Sequence, residues 1–195
     1  MDERITDDRE MTIDEFLAFT DTRPDDESWE LIEGVPVLSP SPTDFQQIIA
    51  GNITTLLNNE RKRTKATWRP LIGTGTRVPV SPRSLPQPDV MVKARAATGS
   101  AVSDEAVVLF EILSKSNTKK DQAWRKKVYT SIPNCEHYVT VEQKRTRVLC
   151  YDRATNWHAM ELRSLDDALE LPALAAKLPL AEIYDGTPVA PNDGD

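Results

Sequence analysis

The sequence has few cysteines and histidines, and each shortage excludes a class of site. Its 195 residues include two cysteines, Cys135 and Cys150, without CxxC spacing, which argues against a structural zinc site and against a disulfide framework. The two histidines, His137 and His158, are too few for an imidazole-rich zinc or iron site. Any metal bound to this chain is therefore expected to use oxygen ligands.

Long apolar runs are also missing. No segment approaches the roughly 20 apolar residues that span a bilayer, and the N-terminus is acidic and polar where a secretory signal would be basic and then apolar. We expect a cytoplasmic protein with no membrane partner. With 39% hydrophobic residues, the length suits one core. We predict a disordered tail over residues 1–11, a single domain over 12–185 and a flexible tail over 186–195.

The hydrophobic pattern predicts helices alternating with strands. The predicted helices cover about residues 12–19, 42–61 with Ser41 as its N-cap, and 117–130 with Ser116 or Asn117 as its N-cap. Two short strands are predicted to join at Gly34, and the run 106–113 is the most apolar strand, expected at the centre of the sheet. Residues 137–162 predict three strands in meander order.

Two acidic residues stand out against these apolar strands. Asp89 follows Pro88 at the start of a short apolar run, and Glu111 lies near the end of the run 106–113. A carboxylate among Val, Leu and Ile is destabilised by desolvation and needs a divalent cation, a basic side chain or water as its partner. We predict that Asp89 and Glu111 bind one metal ion. The alternatives are a turn acid after proline for Asp89 and a strand-end acid paired with a lysine for Glu111.

The overall charge limits how the protein could bind nucleic acid. A net charge of -7 and a pI near 5.0 disfavour adhesion to nucleic acid over the whole surface, although they allow a local site. Basic residues cluster over 61–69 and again over 115–127, and either cluster could be a solvated helix face. The second cluster directly follows Glu111 and supplies the candidate nucleic-acid-binding residues, Lys115, Lys119, Lys120, Arg125 and Lys126.

Five motifs, in order, resemble the Uma family of restriction-endonuclease-like proteins. They are Glu30-Leu-Ile-Glu33-Gly34, Ser39-Pro-Ser-Pro42, Pro88-Asp89-Val90, Glu111-Ile-Leu-Ser114-Lys-Ser116-Asn-Thr118 followed by Asp121, Arg125 and Tyr129, and Glu136-His-Tyr-Val139. The resemblance spans about residues 12–184. It implies the PD-(D/E)xK nuclease superfamily, and hence an α/β (α+β) fold with a mixed central sheet flanked by helices and a C-terminal antiparallel meander.

The resemblance also implies a site. By it, Asp89 and Glu111 are the metal carboxylates and Glu33 is a further catalytic acid. The superfamily expects a lysine two residues after the second acid, but this position is Leu113. The basic group would then come from Arg125 or Lys126. Phe45 stands where many members have histidine.

Oxygen ligands point to a particular chemistry. Mg²⁺ and Mn²⁺ prefer carboxylates, carbonyls and water, and Asp89, Glu111 and the carbonyl of Ile112 would be sufficient. We predict a divalent-metal-dependent DNA endonuclease in which Arg125 clamps a phosphate and either Lys126 or the metal alone activates water.

Two other functions remain open from sequence. The first is a catalytically degenerate member of the family that binds nucleic acid or a protein partner, and the second is an unrelated binding or regulatory protein. We also expect a homodimer, since cutting both strands of DNA needs two active sites and the meander offers a free strand edge.

Overall fold

The computed structural model describes residues 9–24, 26–94, 99, 102–114 and 117–189. The helices within these residues are α1 (Ile13–Thr20), α2 (Asp44–Thr64), α3 (Lys119–Tyr129) and α4 (Leu180–Ile183). The strands are β1 (Trp29–Ile32), β2 (Val35–Leu38), β3 (Arg69–Ile72), β4 (Gly75–Thr76), β5 (Val90–Lys93), β6 (Val102–Ser103), β7 (Ala106–Leu113), β8 (His137–Glu142), β9 (Val148–Asp152), β10 (Ala159–Leu162), β11 (Ala168–Leu171) and β12 (Ala176–Pro179).

A six-stranded mixed sheet with strand order β10-β9-β8-β7-β5-β3 forms the centre of the fold. Strands β7 and β8 are parallel, whereas the other neighbours in this sheet are antiparallel. Parallel neighbours need a crossover connection, and α3 lies in the segment that provides it. The fold class, the central place of β7 and the meander β8-β9-β10 are confirmed.

Helices cover both faces of this sheet. On one face α2 buries Ile49, Ile53 and Leu57 in the largest core cluster, together with residues of β11, β12 and α4. On the other face α3 buries Val128 and Tyr129 in a second cluster. A smaller third cluster joins α1 to the β1-β2 hairpin. The alternation of faces along β7 follows from the two-residue period of a strand, so neighbouring residues of β7 contact different helices.

The helix starts differ from the predicted N-caps. Thr43, not Ser41, caps α2, because its side chain accepts the N–H of Gln46 and also contacts Gln143 across the fold. Thr118, not Ser116 or Asn117, caps α3, where it forms a capping box with Asp121. In both cases the threonine lies three residues before an N–H that needs a partner.

The tail boundaries stay predictions, and one described residue inside each predicted tail packs against the folded domain. Met11 is buried with α1, and its N–H donates to the carbonyl of Gly34. Val189 packs against the largest core cluster. Residues 1–8 and 190–195 lie outside the described residues. Among the helices of the described part, none has both the length and the apolar composition to cross a membrane.

Helix α2 provides a direct test of the main core. Leu57 is fully buried on its inner face, so we expect Leu57→Ala to lower the free energy of unfolding by about 2–5 kcal/mol through lost packing and a residual cavity. The exposed Asn59 on the same helix is the matched control, and Asn59→Ala should change stability by less than about 0.5 kcal/mol. Urea unfolding followed by circular dichroism measures both, and equal losses would contradict the packing described here.

Candidate active site

The geometry of the sheet brings Asp89 and Glu111 to the same end. Strand β5 runs antiparallel to β7, with Val90 opposite Phe110. The first residue of β5 therefore lies beside the last part of β7. Asp89 directly precedes β5 and Glu111 directly follows Phe110, so two acids that are distant in sequence become neighbours.

Asp89 lies just before the start of β5, and its side chain accepts a hydrogen bond from the backbone of the neighbouring strand β7. Its Oδ2 accepts the backbone N–H of Ile112 at 2.6 Å, and its Oδ1 accepts the side-chain amide of Gln46 on α2 at 2.8 Å. Burial raises the pKa of Asp89, while these two donors act to lower it. The acid is thus held between the sheet and α2 by two hydrogen bonds from uncharged groups.

Glu111 is directed toward α3 and is only 5% exposed. Its Oε1 accepts the hydroxyl of Tyr129 at 2.8 Å and Nη1 of Arg125 at 3.0 Å. These two residues are four apart on α3 and so share one helix face, as their spacing predicts. Burial raises the pKa of Glu111 to about 8; Arg125 opposes this shift, whereas the nearby charge of Asp89 adds to it.

The structure adds a third acid, Glu30, which the sequence analysis did not assign to the site. Arg125 donates to both oxygens of Glu30, with Nη1 to Oε1 at 3.0 Å and Nη2 to Oε2 at 2.6 Å. Glu30 also accepts the backbone N–H of Gln87 at 2.7 Å and is 3% exposed. The sequence feature that could have identified Glu30 is its position between the apolar residues Trp29 and Leu31 of a predicted strand.

Arg125 links the two buried carboxylates. Burial acts to lower its pKa, but the charges of Glu111 and Glu30 hold the pKa well above its usual value. Burial likewise raises the pKa of Tyr129 well above its ordinary value, so this hydroxyl stays protonated and remains a donor to Glu111. A paired guanidinium of this kind is a permanent cation and does not accept a proton.

Glu33, the further acid implied by the resemblance, is not brought into this cluster. It is exposed at the tip of the β1-β2 hairpin with φ of 52°, and its backbone N–H donates to Ser84 Oγ at 2.8 Å. A tight turn with left-handed backbone directs the chain back on itself and leaves its side chains in solvent. Glu30, three residues earlier, lies within the strand and meets Arg125 instead.

The predicted basic residues do not all lie at the carboxylate cluster. The Lys126 ammonium donates to the carbonyl of Trp157 at 3.2 Å and lies 4.0 Å from the ring centroid of Tyr151, so it is engaged outside the carboxylate cluster. Lys119 and Lys120 are exposed in the first turn of α3. Lys115 lies outside the described residues. Among the predicted basic residues that the structure describes, Arg125 is the one that contacts the acids.

A cleft of about 260 Å³ opens onto this cluster. Asp89, Glu30 and Arg125 line it together with the polar side chains of Gln46 and Asn117. The Asn117 carboxamide oxygen already accepts from Ser114, which leaves its amide group as a hydrogen-bond donor. The cleft therefore presents carboxylates, one paired guanidinium and neutral donors to an entering molecule.

Comparison with known proteins shows the family to which the chain belongs. A family model named Uma2 and described as a putative restriction endonuclease matches residues 13–181. The chain belongs to the Uma2 family. A solved structure from Anabaena variabilis, described as a putative nuclease belonging to DUF820, has a similar fold with a TM-score of 0.71 and 16% identity, covering 89% of this chain and 97% of that one. No curated protein matches the sequence.

The donor set of this Uma2 chain suits a hard divalent cation. In the described part of the chain, no three His, Cys, Asp or Glu side chains form a ready-made metal cluster. Mg²⁺ is often held by only one or two carboxylates, with water and substrate oxygens completing its shell. The ionised forms of Glu30, Asp89 and Glu111 exceed Arg125 by two negative charges, and a divalent cation would balance that excess.

The same arrangement makes Arg125 critical for folding. We expect Arg125→Met to destabilise this Uma2 chain by about 3–5 kcal/mol, because Glu30 would be left buried without its bidentate partner and Glu111 would lose a hydrogen-bond donor. Lys127 is exposed two positions later on α3, and Lys127→Met should cost less than about 0.5 kcal/mol. Chemical unfolding of both variants against wild type is the measurement. A small loss for Arg125→Met would mean that the buried Glu30 does not need the guanidinium as its partner.

Proposed function

We propose that this Uma2 chain is a divalent-metal-dependent nuclease that hydrolyses DNA phosphodiester bonds. The observation that carries the proposal is that Asp89 and Glu111 lie at the same sheet end, with Arg125 bonded to Glu111 and with Asp89 and Arg125 lining a cleft. The family description and the description of the structural neighbour support nuclease activity in general. The requirement for a divalent metal and the choice of DNA as substrate go beyond that general support and belong to the proposal.

Asp89, Glu111 and the carbonyl of Ile112 would hold the ion. Mg²⁺ or Mn²⁺, when bound, supplies Lewis-acid stabilisation of phosphorus oxygens and makes water more acidic. Both oxygens of Asp89 already accept hydrogen bonds, and each carboxylate oxygen has a second lone pair for a further ligand. The Gln46 and Ile112 donors would then orient Asp89 toward the ion.

Arg125 would stabilise negative charge on the substrate, while Glu30 sets its position. Bidentate pairing of guanidinium with a carboxylate fixes its plane, and Glu30 holds Arg125 in this way at the floor of the cleft. Glu30 is thus a positioning residue. Lys119 and Lys120, exposed near Asn117, would attract the DNA backbone by a salt-dependent interaction. The homodimer and the cytoplasmic location remain predictions.

Three observations favour a second candidate function, a binding module that does not cut. Lys126 is engaged with Trp157 and Tyr151, position 113 is leucine, and Arg125 cannot take a proton from water. A chain that keeps the fold without a proton acceptor would bind nucleic acid without cleaving it. Absence of cleavage of single-stranded DNA, double-stranded DNA and RNA in both Mg²⁺ and Mn²⁺ would favour this candidate.

Conservative variants of the two acids test the nuclease proposal. We expect Asp89→Asn and Glu111→Gln to reduce cleavage of labelled DNA by about 100-fold or more, because each removes a charge needed at the reaction centre while keeping the shape of the side chain. Glu33→Gln should cleave like wild type, since this acid is exposed at the hairpin tip. Circular dichroism checks folding, and identical purification of all variants controls for contaminating nucleases. Full activity of Asp89→Asn would refute the assigned site.

Metal binding has a readout that does not require activity. A ligand that binds only the folded state raises stability, by about 2.7 kcal/mol when its concentration is 100 times Kd. We expect Mn²⁺ or Mg²⁺ to raise the midpoint of thermal unfolding of wild type and to have no such effect on Asp89→Asn. Isothermal titration calorimetry should give one site per chain. An equal shift of the two proteins would place any bound ion elsewhere.

A further inference from the structure

The cleft has an apolar wall that the hydrolysis chemistry does not use. Besides its polar floor, the cleft is lined by Leu38 at the end of β2, by Pro40 and Pro42 in the following segment, and by Ile72 at the end of β3. Proline and aliphatic faces do not bind phosphate. They offer a surface on which a flat, weakly hydrated group can pack.

Among the aliphatic residues of this wall, Ile72 is the most exposed. Its side chain is 59% exposed, although it stands opposite Val90, one residue from Asp89, in the pairing of β3 with β5. The adjacent Gly73 has φ of 60°, and apart from its two chain neighbours no described residue has an atom within 4 Å of the place where its Cβ would be. A large aliphatic side chain therefore lies in an open rim directly beside the candidate metal carboxylate.

The buried charged groups lie below this rim. Glu30 and Glu111 are almost fully buried. Among the described residues, Arg125 is the single basic residue that lines the cleft, and it is already paired with both acids. Duplex DNA carries a phosphate charge about every 1.7 Å along its axis and needs many cations for neutralisation. A cleft of about 260 Å³ with an apolar wall and one paired cation does not match that surface.

An unpaired strand matches the same features better. Its bases are free to leave the stack and to lie against apolar or aromatic side chains, which occurs widely in proteins that bind single strands or act on extruded nucleotides. One phosphate could then reach Asp89 while its adjoining base packs on the wall. The neutral donors Gln46 and Asn117 suit sugar or phosphate oxygens of such a strand.

Resting on the proposed nuclease function, we propose that the substrate is DNA that is unpaired at the cut, and that the base next to the scissile phosphate packs against Ile72. The specificity for unpaired DNA would then come from the wall formed by Leu38, Pro40, Pro42 and Ile72. Cutting one unpaired strand needs a single active site, so this specificity does not depend on a dimer.

The test compares oligonucleotides of one sequence presented as a single strand, as a duplex and as a duplex with a short unpaired flap. In Mn²⁺, we expect cleavage of the single strand and of the flap, each at least about tenfold faster than cleavage of the duplex. Binding is measured separately by fluorescence anisotropy with Asp89→Asn, which removes cleavage from the readout. The single strand should again bind at least about tenfold more tightly than the duplex.

Ile72→Thr tests the wall itself, because threonine keeps the β-branched shape suited to a strand while adding a polar hydroxyl. We expect a five- to tenfold rise in Kd and in KM for the single strand, near the lower end of the range for loss of base stacking on an aromatic side chain, with kcat unchanged. Val80 is 53% exposed and is not among the residues that line the cleft, so Val80→Thr is the matched control and should have no effect. Unfolding midpoints check that both variants fold.

The outcomes separate this inference from the proposed function. Equal binding or cleavage of single strand and duplex would overturn it, as would equal behaviour of Ile72→Thr and Val80→Thr. If no DNA is cut but the single strand binds preferentially and depends on Ile72, the nuclease proposal fails and the apolar-wall assignment stands. If no DNA binds at all, both fail.

Discussion

The buried guanidinium of Arg125 is the interaction on which the site depends. It lies between Glu30 of β1 and Glu111 of β7, and both carboxylates are removed from water. Two buried acids at one place would repel each other and shift toward their protonated forms. Arg125 allows them to coexist and, through its rigid fork of donors, connects the N-terminal hairpin to the central sheet and to α3.

This interaction also bears on whether the carboxylate cluster serves stability or function. Among the described residues, one cation pairs with two of three neighbouring carboxylates. Burial is the main cause of the raised pKa values of Asp89 and Glu111, and the charges of the neighbouring acids add to it. A buried ion pair alone is weak evidence for stability. An incompletely neutralised cluster at the end of an open cleft is more typical of a functional site, because such sites commonly contain residues with perturbed pKa values.

Much of the fold was predictable because it depends on local pattern. The apolar run of β7 implied a strand buried on both faces, and the central position of β7 in the sheet confirms it. The helical spacing of Arg125 and Tyr129 predicted a shared face, and both contact Glu111. The N-caps were less predictable, since Ser41 and Thr43 are equally suitable residue types. The choice of Thr43 is associated with its contact to Gln143, a residue 100 positions away.

By itself, the sequence determined the order of helices and strands, the family and the two acids at strand ends, because hydrophobic period and motif order are properties of the linear chain. The tertiary structure alone decided which groups meet. It selected Glu30 over Glu33, because one lies within a paired strand and the other at a turn. It also directed Arg125 into the acids and Lys126 toward Trp157, since adjacent helix residues point about 100° apart and only the packing of α3 on the sheet determines which one faces inward.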